Sequence, residues 1–203
     1  DLELPHSFTV FRDGVTTDLK KNLKPVTVMG KKGWQTDYTF ARPGVYQFAM
    51  EPEPYWEEAE DVFIIHYTKA IIPAYGDEEG WQTPVGLPTE IVPMLRPFGN
   101  YAGNSFTGQV LSKGQPVPNA EVEVELANND QLQAPTDYHI TQVVRADDQG
   151  RFTFTCPLPG WWGFAALTTG DQTITGPDGQ QKEVELGAVL WSYFNPLPRK
   201  AAQ

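Results

Sequence analysis

The sequence has few of the residues from which metal, redox and disulfide sites are usually built. Its 203 residues include one cysteine, Cys156, and three histidines. A single cysteine excludes an intrachain disulfide and any cysteine-based metal cluster. No two histidines are spaced two or four residues apart, so local spacing shows no metal site. Cys156 ends an alternating strand pattern, and we expect it to be a buried, inert thiol.

Catalytic motifs are lacking as well. The sequence contains no Gly-x-Ser-x-Gly nucleophile motif, and Ser105 has no evident base beside it. No glycine-rich loop precedes a helix as a phosphate-binding loop does. The adjacent carboxylates Glu78 and Glu79 are expected to point in different directions on a solvated turn, which does not suit paired acid–base catalysis. The sequence therefore predicts a protein that is not an enzyme.

Charge and hydropathy limit the partners of the protein. The formal net charge is -11 at pH 7. Without a basic stripe the chain cannot displace phosphate counterions, which argues against nucleic-acid binding, and its acidity disfavours an anionic membrane surface. The charge suits attraction of metal cations, although solubility alone also explains it. No apolar run reaches about 18 residues, so we expect no membrane-spanning segment.

Glycine, proline and alternating patterns are what the chain has in quantity. The 18 Gly, 18 Pro and 12% aromatic residues suit many short strands joined by tight turns. Residues 121–126 and 151–155 alternate between apolar and polar side chains, which is typical of half-buried strands. We predict an all-β fold of two tandem immunoglobulin-like or transthyretin-like antiparallel β-sandwich domains. Their bounds are 1–97 and 98–196, followed by a flexible tail at 197–203.

Individual strands follow from the same patterns. Residues 61–75 are apolar on both faces, which predicts a central strand covered on both sides. A further strand is expected to carry Trp34, Thr36, Tyr38 and Phe40 on one face. The remaining predicted strands include Ser7–Arg12, Val45–Met50, 138–146 beginning near His139, 151–156, 161–168 and 182–194.

His66 is the best candidate for a metal ligand. It shares a strand face with Val62 and Ile64 and follows a stretch dense in carboxylates. A histidine near several carboxylates can bind a divalent cation. The competing interpretation is a core histidine that is hydrogen-bonded within the sheet. The candidate ligand set is His66, Glu57, Glu58, Glu60 and Asp61.

Aromatic residues suggest a different kind of site. Tyr55, Trp56 and Trp81, together with the pair Trp161–Trp162, could offer flat stacking faces to a sugar or a protein partner. In a sandwich, however, at least one residue of a tryptophan pair normally fills the core, because consecutive strand residues face opposite sides. Both interpretations stay open at this point.

Several stretches occur in an order that resembles a known family. They include "WQTDYTFARPGVYQFAMEPEPYWEEAEDVFIIHYTKA", "GDEEGWQTPVGLPTEIVPMLRPFGNYAGNSFTGQVL", "GQPVPNAEVEVE" and "PGWWGFAAL". Together they resemble a bacterial periplasmic family of unknown function that accompanies nickel and cobalt uptake systems of the energy-coupling-factor type. The similarity runs from about Leu2 to Phe194 and is most specific from Glu90 to Val124. The second half also resembles carboxypeptidase-regulatory and transthyretin-like sandwiches.

The resemblance implies a secreted, periplasmic β protein that assists transition-metal acquisition. Nickel or cobalt would be the ion, membrane transporter subunits would be the partners, and His66 with the acidic residues before it would hold the metal. Such proteins usually carry an earlier N-terminal segment with a histidine near the mature start. This sequence begins at Asp1 without a methionine, so we expect a processed or trimmed product without that segment.

Three functions stay open from the sequence. The favoured one is a non-enzymatic periplasmic accessory or metal-binding protein for nickel or cobalt uptake. The second is an extracytoplasmic module that binds a glycan or a cell-envelope protein through Tyr55, Trp56 and Trp81. The third is a structural spacer without a ligand.

Overall fold

The computed structural model describes residues 1–197, which form sixteen strands and two three-residue 3₁₀ turns, Lys20–Asn22 and Asp137–His139. The first eight strands are Ser7–Arg12 (β1), Val15–Asp18 (β2), Lys24–Val28 (β3), Lys31–Gln35 (β4), Gly44–Glu51 (β5), Tyr55–Glu57 (β6), Val62–Ala74 (β7) and Thr89–Pro93 (β8). The next eight are Asn100–Tyr101 (β9), Ser105–Ser112 (β10), Gln115–Pro116 (β11), Glu121–Leu126 (β12), Gln142–Arg145 (β13), Arg151–Thr155 (β14), Gly160–Thr175 (β15) and Gln181–Asn195 (β16). The all-β prediction is confirmed.

One large sheet runs through most of the described chain. Its strands lie in the order β13-β12-β15-β16-β7-β5-β1-β2, while β6 also pairs with β7 and β9 with β16. Most neighbours are antiparallel, but β7 and β16 run parallel, with His66 opposite Gly187. As predicted, β7 is central, since β16 lies on one side of it and β5 and β6 on the other. The prediction that both of its faces are covered was wrong, because His66 on the outer face is exposed.

A smaller sheet covers one face of the large sheet and closes the main core. Its strands are β11, β10 and β14, with β8 paired to β10. We call the covered face of the large sheet, which carries Val122, Phe164 and Leu190, the inner face. Phe106 of β10 stacks on Phe164 of β15 with ring centroids 4.3 Å apart, and both side chains are fully buried. The alternation of residues 121–126 thus places its apolar side chains in this core.

A buried ion pair ties β7 to β8 on the inner face. The Lys69 ammonium lies 2.7 Å from Glu90, and both side chains are almost inaccessible to solvent. The Glu90 carboxylate also accepts hydrogen bonds from the backbone N–H groups of Val85 and Gly86. Burial lowers the pKa of Lys69, an effect that the charge of Glu90 opposes. These contacts hold the loop before β8 against the sheet.

The opposite, outer face of the large sheet carries a second hydrophobic cluster near β1 and β5. There Val10 and Tyr46 pack with Leu19 and Tyr38 in this cluster, to which Phe8, Phe40 and Phe48 also belong. The prediction that Trp34 to Phe40 form one strand was wrong, because β4 ends at Gln35. Gln35 pairs with Lys24, and the chain before Lys24 turns as a 3₁₀ helix, so residues after Gln35 have no strand partner. Tyr38 and Phe40 instead lie in a loop over β5.

Two further expectations are corrected or left open. His139 belongs to a 3₁₀ turn rather than to a strand, because the Asp137 carbonyl accepts hydrogen bonds from the N–H groups of Ile140 and Thr141. The division into tandem domains at residue 97 stays a prediction. Strands from both sides of that position share the large sheet, so backbone hydrogen bonds join the two halves. The predicted tail lies outside the described residues from residue 198 onward.

Candidate functional site

His66 lies on the outer face of the large sheet, in the middle of β7. Its imidazole is exposed to solvent on one side and packs over the backbone of Gly187 on the other. A Cβ atom at Gly187 would lie only 2.3 Å from His66 Cδ2, so glycine is the residue that lets the ring lie flat on β16. Within residues 1–197 no side chain or backbone group forms a hydrogen bond with the imidazole. The alternative of a histidine hydrogen-bonded inside the core is therefore not the arrangement observed here.

A solvent-accessible cavity of about 430 Å³ adjoins the ring. We call it the His66 cavity. Tyr55 and Glu57 of β6 and Ile64 of β7 form its wall beside His66, because β6 pairs with the start of β7 and brings Tyr55 opposite Ile64. The N-terminal residues close the other side. The cavity residues with an ionisable side chain, apart from Tyr55, are Asp1, Glu3, Glu53, Glu57 and His66.

Electrostatics keep the His66 imidazole neutral over a wider pH range than usual. The strands packed beneath the ring remove water from it, and this desolvation lowers the pKa of His66 below its ordinary value. A neutral imidazole has a free nitrogen lone pair, which is the form that binds metal ions. The ring therefore has the protonation state, the exposure and the free hydrogen-bonding capacity of a ligand.

The predicted carboxylates do not gather around His66. Glu57 lines the cavity, where its carboxylate accepts a 3.2 Å hydrogen bond from the N–H of Ala59. Glu58 is exposed in the turn between β6 and β7. Asp61 forms a salt bridge of 2.7 Å with Lys182. Among the described residues, no three His, Cys, Asp or Glu side chains are arranged so that they could hold a metal ion.

Glu60 belongs to another carboxylate group on the outer face. Desolvation raises the pKa of Glu123, and the charges of Glu125, Glu121 and Glu60 raise it further. Desolvation also raises the pKa of Glu185, with Glu60 and Glu123 adding to the shift. These acids repel one another across β12 and β16, so the outer face is electrostatically negative beside His66.

The three aromatic residues predicted as a binding platform do not share one face. Tyr55 is exposed and lies on the outer face with Ile64. Trp56 points to the other face, where it packs on Phe63 with ring centroids 5.0 Å apart and lies beneath the Lys182 ammonium. Trp81 is half-buried against the main core.

A second aromatic pair lies on the outer face at the far end of β15 and β16. Trp161 and Tyr193 are directly opposite each other, with ring centroids 5.4 Å apart, and both are more than one-third exposed. They line an open cavity of about 490 Å³ together with Asn129 and Asp130. The sequence indicated Trp161, but Tyr193 became visible only through strand register. Trp162 fills the core, as expected for one member of a tryptophan pair.

Neither Cys156 nor the 3₁₀ turns point to a reactive or membrane-spanning site in the described residues. Cys156 is fully buried, and burial raises the pKa of its thiol to about 12, so the reactive thiolate does not form near neutral pH. Neither described 3₁₀ turn has the length or the apolar character needed to traverse a bilayer.

Sequence comparison places the chain in a family without giving it an activity. No curated protein and no solved structure matches the chain significantly. A match to a family of domains of unknown function, DUF4198, extends over residues 1–170 and thus includes the His66 cavity and most of both sheets. The chain belongs to the DUF4198 family.

Proposed function

We propose that this protein is a non-enzymatic periplasmic accessory protein that binds nickel or cobalt as cargo for a membrane transporter. The observation that supports the proposal is the His66 imidazole, which faces the same cavity as the Glu57 carboxylate and has no hydrogen-bond partner within residues 1–197. Imidazole nitrogen and carboxylate oxygen together suit divalent nickel and cobalt. The cavity is open, so a cargo ion could enter and leave without unfolding of the sheet.

The chemistry predicts a weak, incomplete coordination sphere. His66 would donate one nitrogen and Glu57 one oxygen, and water or a partner protein would supply the remaining ligands. Glu53 and Glu3 line the same cavity but do not form a three-ligand group with His66 and Glu57 in the described residues. Asp61 is engaged by Lys182 and does not belong to this set. A weak site suits a protein that passes its ion to a transporter rather than storing it.

Titration calorimetry of the full chain with nickel and cobalt tests the proposal. The wild type should bind nickel, and His66→Ala should weaken that binding at least about tenfold, since loss of a direct ligand costs no less than loss of a supporting one. Glu57→Gln should weaken it less. Binding should be lost at a lower pH than for an ordinary histidine, because desolvation lowers the pKa of His66.

His139→Ala is the matched control for this experiment. His139 is exposed in a 3₁₀ turn, where its ring nitrogen lies 2.9 Å from the Thr136 hydroxyl, and it does not line the His66 cavity. Its removal should leave nickel affinity unchanged. Absence of binding heat with every divalent metal, or equal losses in the two histidine variants, would contradict the proposal.

A second candidate function is glycan binding at the Trp161–Tyr193 cavity. Exposed aromatic rings beside amide and carboxylate groups match the stacking faces and hydrogen-bonding hydroxyls of sugars. Intrinsic fluorescence with a glycan panel checks this candidate, and Trp161→Ala should abolish any quenching. Quenching that instead depends on Trp81 would point to a different site.

A further inference from the structure

The β3–β4 hairpin carries a charge opposite to that of the whole protein. Residues 20–35 contain five of the 15 Lys and Arg residues of the chain and none of its 26 Asp and Glu residues. These two strands form a two-stranded sheet that pairs with neither larger sheet. The protein, with a net charge of -11, therefore includes a local basic segment, which we call the basic hairpin.

The tip of this basic hairpin is apolar and exposed. Met29 and Gly30 both have positive φ angles, 49° and 77°, which close a tight turn of the kind that matches strand twist. Val28 is 55% exposed and Met29 is 82% exposed. Two apolar side chains at the end of the hairpin are thus exposed to solvent instead of packing in a hydrophobic core.

Three lysines without internal partners in the described residues lie along the hairpin, and one of them, Lys31, directly follows the tip. Strand register places Lys31 opposite Val28 and Lys24 opposite Gln35, so Lys24, Lys31 and Val28 share one face of the hairpin. Lys21 lies in the 3₁₀ turn at its base. Within residues 1–197, Lys21, Lys24 and Lys31 form no salt bridge. Their charges are available to an external anion.

We propose that the basic hairpin docks this protein on an anionic lipid surface. Lysines would contact lipid phosphates while Val28 and Met29 enter the headgroup layer, an arrangement that combines electrostatic attraction with apolar burial. The apolar tip favours lipid over an acidic protein surface, because charge complementarity alone would not place Met29 at the leading end. The proposal does not depend on metal binding.

Distance explains how an acidic protein could approach an anionic membrane. A five-residue strand is about 17 Å long, whereas the Debye length at physiological salt is about 8 Å. Repulsion between the lipid and acids beyond this distance from the tip is therefore largely screened, whereas Asp1 and Glu3 lie beside Lys32 and offset part of the attraction. Lys31 directly follows the tip and lies within the range where attraction persists.

Strand β4 of the hairpin is attached to the N-terminal residues that line the His66 cavity. The N–H of Leu2 donates to the Lys32 carbonyl at 2.9 Å, and the Trp34 indole N–H donates to the Glu3 carbonyl at 2.9 Å. Leu2 and Glu3 also line the His66 cavity. Docking through the hairpin would hold the cavity at a fixed position relative to the lipid surface.

Vesicle co-sedimentation of the full chain tests the proposal. The wild type should bind vesicles that contain phosphatidylglycerol and should not bind vesicles of phosphatidylcholine alone. Lys31→Gln, beside the tip, should bind about fivefold more weakly, and Lys24→Gln, at the other end of β3, should change affinity less. Binding should also disappear in about 1 M salt, where the Debye length falls to about 3 Å.

Two further variants separate insertion from simple adsorption. Met29→Asp should weaken binding although it leaves every lysine in place, and Met29→Trp should give a blue-shifted emission with anionic vesicles only. The control Lys113→Gln/Arg145→Gln removes two exposed basic side chains outside the hairpin and should change affinity less than about twofold. Failure of the wild type to bind anionic vesicles would overturn the proposal. So would equal binding by the wild type and the Lys31→Gln variant.

Discussion

The inner and outer faces of the large sheet are built from the same strands but have different physical characters. On the inner face, Phe106 and Phe164 stack in a closed core, and even its charges, Lys69 and Glu90, neutralise each other away from water. On the outer face, His66 has a solvated side, and Glu123 and Glu185 repel each other. Apart from the cluster around Val10 and Tyr46 on the outer face, the residues that stabilise the fold and those available for binding thus lie on opposite faces of the sheet.

This separation suggests how the protein divides its tasks. The inner face requires tight packing, because a buried void or an unpaired charge is costly. The outer face tolerates exposed titratable groups because the inner core already supplies stability. Substitutions on the two faces should therefore differ in whether they affect unfolding or binding.

The largest expected effect is a cavity in the inner core. Phe106→Ala should lower the free energy of unfolding by about 4 kcal/mol, since it removes a fully buried ring that stacks on Phe164. Tyr55→Ala on the outer face should change stability by less than about 0.5 kcal/mol. Urea unfolding of both variants checks the contrast, and similar losses would show that the outer face also carries the fold.

The second-largest expected effect is a loss of stability when the buried ion pair is broken. Lys69→Met should destabilise the protein by about 3 kcal/mol, because the Glu90 carboxylate would remain buried without its counter-ion. Lys69→Met/Glu90→Gln should recover part of the loss, since no unpaired charge stays buried and the amide oxygen can still accept one of the two hydrogen bonds that Val85 and Gly86 donate to the carboxylate. Thermal unfolding measures both. A double variant no more stable than the single one would refute this account of the pair.

A smaller effect is expected where His66 packs on β16. Gly187→Ala should cost about 2 kcal/mol, because the new Cβ atom would collide with the imidazole. Adding His66→Ala should relieve most of that cost, which a double-mutant cycle measures directly. Additive losses would mean that contacts other than the ring make glycine necessary there.

The smallest effect concerns the outer-face carboxylates and has a defined pH dependence. The pKa values of Glu123 and Glu185 are raised, so the native state binds more protons than the unfolded state between the ordinary and the raised values. Stability contributed by their protonated forms is complete below the unfolded pKa, about 4.3, and is lost as pH rises through the native pKa. Glu123→Gln should therefore stabilise the protein by about 0.5 kcal/mol near pH 7 and by less near pH 4. Calorimetry at both pH values checks the trend, with the exposed Glu58→Gln as control.

Short-range patterns explain what could be predicted from the sequence. Residues 121–126 alternate strictly, and their apolar side chains do enter the core. The apolar run at 61–75 became the central strand β7, and Cys156 became fully buried. The hairpin β3–β4 was not predicted, because a proline and several lysines interrupt its pattern. The sequence identified His66 as the best candidate ligand. It did not reveal that most of the predicted carboxylates lie away from the imidazole.

The sequence by itself determined the strand content, the turns and which side chains avoid water, since these depend on periodicity within a few residues. Tertiary structure alone decided that β7 lies parallel to β16, that Gly187 supports the His66 ring and that residues 1–3 close its cavity. Those contacts join segments far apart in the chain. Strand order is a cooperative outcome of packing both faces of the sheet at once, and no local pattern specifies it.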